Sequence, residues 1–253
     1  MEGLGLATEA GVLRITFDRP ERLNSLTAEL IHAAAEAVEN ASADGVRLIV
    51  LTGSGRAFSS GADVGPDGSP PGLDTLDAAS RFVRAVTSSP VVCLAAVNGI
   101  AAGVGCSFAL AADLTVAKES AAFMLAFTKI GLMPDGGASL LVPASVGRAR
   151  AARMALLAEK VDARTAADWG LIAFVTPDEE FAATVEDLVA RLSTGAPLAL
   201  AATKQVINAT TLPLLDTTLT AERQGQGALL ASSDFQEGMA AFQQKRAAVF
   251  AGR

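Results

Sequence analysis

Few residues in this chain can do proton or nucleophilic chemistry. There is one histidine, His32, and no tyrosine. A Ser-His-Asp hydrolase or a histidine-rich metal site would have to use His32. It stands three residues from Glu29 and four from Glu36, opposite Leu30 and Ala34, the pattern of a solvated histidine beside two carboxylates. No Gly-x-Ser-x-Gly elbow exists for it to serve. Cys93 and Cys106 lie in apolar runs, the setting of small core residues rather than of disulfides or zinc ligands. Gly53-Ser54-Gly55 and Gly99-x-x-x-Gly103-x-Gly105 each follow a short apolar run, and neither matches a dinucleotide fingerprint or a P-loop. What such segments offer is backbone: exposed N–H groups, strengthened where a helix begins. Two N–H groups converging on one point form an oxyanion hole. Tight turns alone would use the same glycines, and spacing does not separate the two. Asp135, in Pro134-Asp135-Gly136-Gly137, precedes a helical stretch and by residue type alone is a helix N-cap. Asp44, Asp113, Asp162 and Asp178 sit at turns or element ends, where a carboxylate bonds backbone N–H groups.

These residues must be positioned by a core, and the composition allows one. Of 253 residues, 51% are apolar, which excludes intrinsic disorder and suffices for one large domain or two small ones. Asp and Glu outnumber Lys and Arg by 27 to 20, a net charge of −7, so a nucleic-acid partner is not expected. An anionic ligand remains compatible, because backbone amides hold anions without net positive charge. Met1-Glu2-Gly3-Leu4 carries no basic n-region and no cleavable apolar stretch, so a soluble cytoplasmic protein is expected. Val91 to Ala112 is long and apolar enough to span a membrane, but Asn98, Gly99, Gly103 and Gly105 interrupt it and Asp113 closes it. A buried strand, a glycine-rich crossing and a buried helix are expected there, with no membrane partner.

Residues 3–17 alternate around Gly11 and predict a hairpin. Leu26, Leu30, Ala34 and Val38 predict a helix over roughly 27–42, and Asp44-Gly45 a turn. Val46 to Thr52 and Val91 to Val97 predict strands buried on both faces. Residues 53–72 read as loop, 73–87 as helix, a helix opens near Gly103, and 114–117 and 121–124 as short strands. From Gly136 on, the pattern is helical, interrupted at Val161-Asp162 and at 172–176. Strands alternating with helices before a helical tail imply an α/β core, 1–195, and a C-terminal helical subdomain, 196–253, divided at Gly195-Ala196-Pro197.

Three separated blocks carry a resemblance. Phe17-Asp18-Arg19-Pro20-Glu21-Arg22-Leu23-Asn24-Ser25-Leu26, then the run from Gly53 to Asp63, then Val97 to Gly105, resemble the crotonase superfamily, the enoyl-CoA hydratase/isomerase family. Phe123 to Gly137, followed by Trp169-Gly170-Leu171-Ile172, further resembles 1,2-epoxyphenylacetyl-CoA isomerases and related enoyl-CoA isomerases. The resemblance implies a spiral of ββα units with two near-perpendicular sheets, and C-terminal helices that assemble a homotrimer or a dimer of trimers. It implies an acyl-CoA substrate that carries its own CoA, and no metal or other cofactor. It places the two oxyanion-hole N–H groups at Ala62 and Val104. Arg22, Leu23, Ser60, Asp63 and Val64 match positions along the CoA and substrate path, and Phe242 and Lys245 match positions reaching a neighbouring subunit's CoA.

The departures from the family pattern bear on the reaction. Enoyl-CoA hydratases carry two glutamates, and the matching positions here are Ser107 and Phe127. The resembling isomerases keep a catalytic aspartate where this chain has Asp135. The resemblance therefore implies an isomerase in which Asp135 shuttles one proton, two N–H groups hold an enolate, and Phe127 keeps the pocket dry. A hydratase using a water on Ser107 with Asp135, and a silent acyl-CoA binder in which Asp135 only caps its helix, are the alternatives.

Overall fold

The computed structural model describes residues 2–64 and 71–253; residues 65–70, part of the expected loop 53–72, lie outside the described residues. The N-terminal alternation gives a hairpin, β1 (Leu4–Glu9) and β2 (Val12–Phe17), antiparallel around Ala10-Gly11. Helix α1 (Ala28–Asn40) follows, with the Thr27 hydroxyl accepting from Leu30 N–H and with Leu30, Ile31, Ala34 and Val38 buried. The chain then runs through β3 (Leu48–Gly53), β4 (Ala57–Ser59) and α2 (Leu73–Ser88). Next come β5 (Val92–Val97), β6 (Ile100–Ala102) and α3 (Val104–Ala111). After these come β7 (Leu114–Lys118), β8 (Ala122–Met124), a 3-10 turn (Ala126–Ile130) and α4 (Ala138–Leu157), which kinks at Gly147. The rest is β9 (Lys160–Asp162), α5 (Ala163–Asp168), β10 (Phe174–Thr176), α6 (Phe181–Ser193), α7 (Pro197–Thr211), α8 (Leu215–Leu230) and α9 (Ser233–Gln243).

From β3 to α4 one unit repeats: a strand, a shorter strand, a helix. The first strands, β3, β5 and β7, are parallel neighbours in a six-stranded sheet of order β1-β2-β3-β5-β7-β10. The second strands, β4, β6 and β8, are parallel neighbours in a four-stranded sheet of order β4-β6-β8-β9. Each unit thus advances one strand in both sheets, and the chain climbs as a spiral. Between the sheets and helices lies one large core, with Phe17 edge-on to Phe58 and Phe82 tilted on Phe108. Each such fully buried ring contributes about 2–3 kcal/mol of transfer free energy.

Two expectations need correction. The 53–72 segment is not all loop, since β4 lies within it, and the crossing after β5 contains β6. Each strand has only three residues, too few to show alternation among glycines and serines. Val91 to Ala112 divides into β5, β6 and α3, and no helix among the described residues is long and apolar enough to cross a membrane. Asp113 does bond backbone, accepting from Cys93 N–H at 2.7 Å. It also pairs with the buried Lys204 of α7 at 2.8 Å, a partner the sequence pattern did not reveal.

Candidate active site

Parallel pairing of β4 with β6 sends both chains out of the small sheet on the same side. Ala62 lies just beyond β4, and Val104 opens α3 just beyond β6. The backbone there is crowded. A Cβ on Gly61 (φ +100) would stand 3.0 Å from Ala102 O and 3.6 Å from Val104 N, so only glycine admits this approach. The Ala62 peptide is held from both sides, because Leu26 N–H donates to Gly61 O and Asp63 N–H donates to Leu26 O, each at 2.8 Å. Asn24 and Asn98 pin the start of β4, both donating to Ala57 O, at 2.8 and 3.1 Å. Among the described residues neither the Ala62 nor the Val104 N–H has an acceptor within the chain, and both residues line one cavity of about 420 Å³.

Asp135 lines the same cavity and is buried. A Cβ on the following Gly136 would stand 3.2 Å from Val104 Cγ2, so the Asp135 turn lies against the start of α3. Ser107 of α3 is fully buried and donates to the Asp135 carbonyl at 2.7 Å. The Asp135 carboxylate does not cap α4. That end is taken by Glu222 of α8, which accepts from Gly137 N–H at 2.7 Å and Ser139 N–H at 2.9 Å. Asp135 Oδ2 instead accepts from Gln226 Nε2 at 2.9 Å, while Oδ1 is buried without a hydrogen-bond partner among the described residues. Burial pushes the Asp135 pKa up to about 7, the Gln226 donor opposes this, and the Glu222 charge adds to it. Burial also raises the Glu222 pKa, against its two backbone donors.

Leu23, Ser60, Val64, Phe127 and Phe242 also line this cavity. Arg22, Asp63 and Lys245 do not. Asp63 is turned away, accepting from Ser25 Oγ at 2.6 Å and pairing with Arg19 at 3.1 Å and Arg22 at 3.4 Å. Its charge ties the 19–25 segment to the Ala62 loop. Phe242 reaches the cavity of its own chain and is largely exposed. His32 lies away from the cavity lining and is half-buried, its Nδ1 3.3 Å from Arg81, whose guanidinium is held by Glu39. Gln226 and Glu222 were not singled out from the sequence. They stand four apart in a helix rich in polar residues, where such a pair looks like a solvated face. A second cavity, of about 390 Å³, contains Lys204 and Asp113. The Lys204 donors are spent on Val86 O, Val91 O and Asp113, so no unpaired group of theirs faces it.

Residues 7–253 match the family model described as enoyl-CoA hydratase/isomerase. The chain belongs to the enoyl-CoA hydratase/isomerase family. It is 46% identical over 248 residues to a probable enoyl-CoA hydratase of Rhodobacter capsulatus, covering 96% of this chain and 95% of that one. It is 40% identical to the 1,2-epoxyphenylacetyl-CoA isomerase of Escherichia coli, over the whole of both chains. A solved enoyl-CoA hydratase of Mycobacterium avium subsp. paratuberculosis superposes with a TM-score of 0.94 at 49% identity, covering 99% of each chain. The ββα spiral of this chain is therefore the crotonase fold of the family.

Proposed function

We propose that this family member is an acyl-CoA isomerase that moves a carbon–carbon double bond through an enolate, with Asp135 carrying the proton. The observation that carries this reading is the buried Asp135 carboxylate, from a residue that lines the same cavity as Ala62 and Val104 and whose own helix end is taken by Glu222. The thioester oxygen accepts from the Ala62 and Val104 N–H groups. Asp135 takes a proton from the acyl chain, and the C–H electron pair moves into a dienolate whose negative oxygen rests on those donors. Asp135 returns the proton two carbons away, and the double bond has shifted with no net change in composition. Each preorganised donor contributes roughly 3 kcal/mol to the charged intermediate. A carboxylate with a pKa of about 7 is half-ionised near neutral pH and a far stronger base than an exposed aspartate.

The names of the two hydratase relatives favour a second reading, hydration. Family hydratases use two carboxylates, one to activate water and one to protonate carbon. Asp135 is the one carboxylate among the described residues lining this cavity, and the positions of the two glutamates hold Ser107, committed to the Asp135 carbonyl, and Phe127. The two readings separate when the protein meets a 3-enoyl-CoA and a 2-enoyl-CoA in turn. Isomerisation gives conjugated product from the first and negligible 3-hydroxyacyl-CoA from the second. Rapid 3-hydroxyacyl-CoA formation would reverse the assignment, and binding without either conversion would leave a silent acyl-CoA binder.

A further inference from the structure

We infer that Gln226 and Glu222, one turn apart on α8, are positioning residues that set which oxygen of Asp135 takes the proton and how basic it is. This inference rests on the isomerase reading above. Gln226 is fully buried, and its amide orientation is dictated by one peptide: Oε1 accepts from Met133 N–H at 3.0 Å and Nε2 donates to Met133 O at 2.9 Å. A flipped amide would set N–H against N–H, so Nε2 is held as the donor to Asp135 Oδ2. Gln226 takes one of the Oδ2 lone pairs and lowers the basicity of that oxygen, so the proton from substrate goes to Oδ1, the oxygen without a hydrogen-bond partner among the described residues. Glu222 acts differently. By bonding Gly137 and Ser139 N–H it removes the helix end that would otherwise draw Asp135 away. Its negative charge then lies close enough to oppose ionisation of Asp135.

Charged groups on the 3-10 turn and on α2 are exposed or paired. Lys129, from the 3-10 turn, lines the cavity and is exposed. From α2, Asp77 and Arg84 pair with Arg223 and Asp216 of α8. Helix α3 brings only the Cys106 thiol, which burial pushes up to about 12.

The two residues should move the acid limb of the kcat–pH profile in opposite directions. Removing the Gln226 donor takes a hydrogen bond from the ionised carboxylate, so its pKa rises; removing the Glu222 charge lets it fall. Gln226→Met is expected to lower kcat about 10- to 100-fold and raise the acid limb by about 1 pH unit, with KM within about twofold. Glu222→Gln, which keeps one of the two acceptors at the α4 end and leaves the second N–H unpaired, is expected to lower the acid limb by about 1 pH unit. Activity below neutral pH then rises relative to the parent. If Gln226→Met does not fold, the downward shift in Glu222→Gln decides alone. Unmoved profiles in variants that fold, with Asp135→Asn inactive, would overturn this inference and spare the isomerase reading. An active Asp135→Asn would overturn that reading itself.

Discussion

Asp135→Asn is expected to lose about 10³- to 10⁴-fold in kcat on a 3-enoyl-CoA while binding acyl-CoA as tightly as the parent chain. The substitution changes one atom and keeps the shape. The asparagine oxygen still accepts from Gln226, and the Ser107 bond goes to the backbone carbonyl, so the turn stays in place. What disappears is the basic oxygen. The amides of Ala62 and Val104, the proposed oxyanion hole, are untouched, so thioester binding should persist. The loss should therefore fall on kcat, with KM little changed. Steady-state kinetics with calorimetry on a non-reacting acyl-CoA checks both halves. Parent-like turnover would remove Asp135 from the mechanism.

The same variant should be more stable than the parent at alkaline pH, by about 4 kcal/mol. The folded carboxyl has a pKa of about 7 against 3.8 for an ordinary aspartate, chiefly because it is buried. Between those values the folded state holds the proton that the unfolded state releases, so stability falls as pH rises through the window. The neutral acid's stability is fully present below about pH 4 and lost above about pH 7. Asparagine does not titrate, so the gap between variant and parent should be small at pH 4 and open fully by pH 8. Urea unfolding of both proteins across this range measures it. A gap independent of pH would mean that the Asp135 carboxyl titrates at an ordinary value in the folded chain. A stabilised, inactive variant is what a base held in a costly environment for its chemistry should give.

Much of the scaffold is legible in the sequence, and the reasons differ from element to element. β3 and β5 are legible because strands covered on both faces leave unbroken apolar runs. The hairpin is legible from its alternation around Gly11, and α1 from Thr27 and the spacing of Leu30, Ala34 and Val38. β4 and β6 are not, since three residues in a glycine-rich stretch carry no period. Without them the repeat of strand, short strand and helix is hidden, and so is the reason that Ala62 and Val104 meet: parallel pairing of β4 with β6. Within the site, residue type alone makes Asp135 a helix cap. The structure gives that position to Glu222, 85 residues from the Gly137 N–H it accepts from. Local pattern reports a vacancy at a helix end but not which distant side chain fills it. Asp63 shows the converse: its block in the sequence is right beside the cavity, yet its carboxylate is spent on Arg19, Arg22 and Ser25.

The proton transfer itself can be watched by incubating the parent protein with a 3-enoyl-CoA in deuterated water and following the acyl carbons by NMR. Reversible removal of a proton by Asp135, with the enolate held on the Ala62 and Val104 amides, predicts deuterium entering the carbon next to the thioester carbonyl and the carbon two further along the acyl chain. It predicts the same experiment on Asp135→Asn to show bound substrate and no exchange. Exchange in that variant at the parent's rate, or a parent that binds the substrate and neither exchanges nor isomerises it, would contradict it.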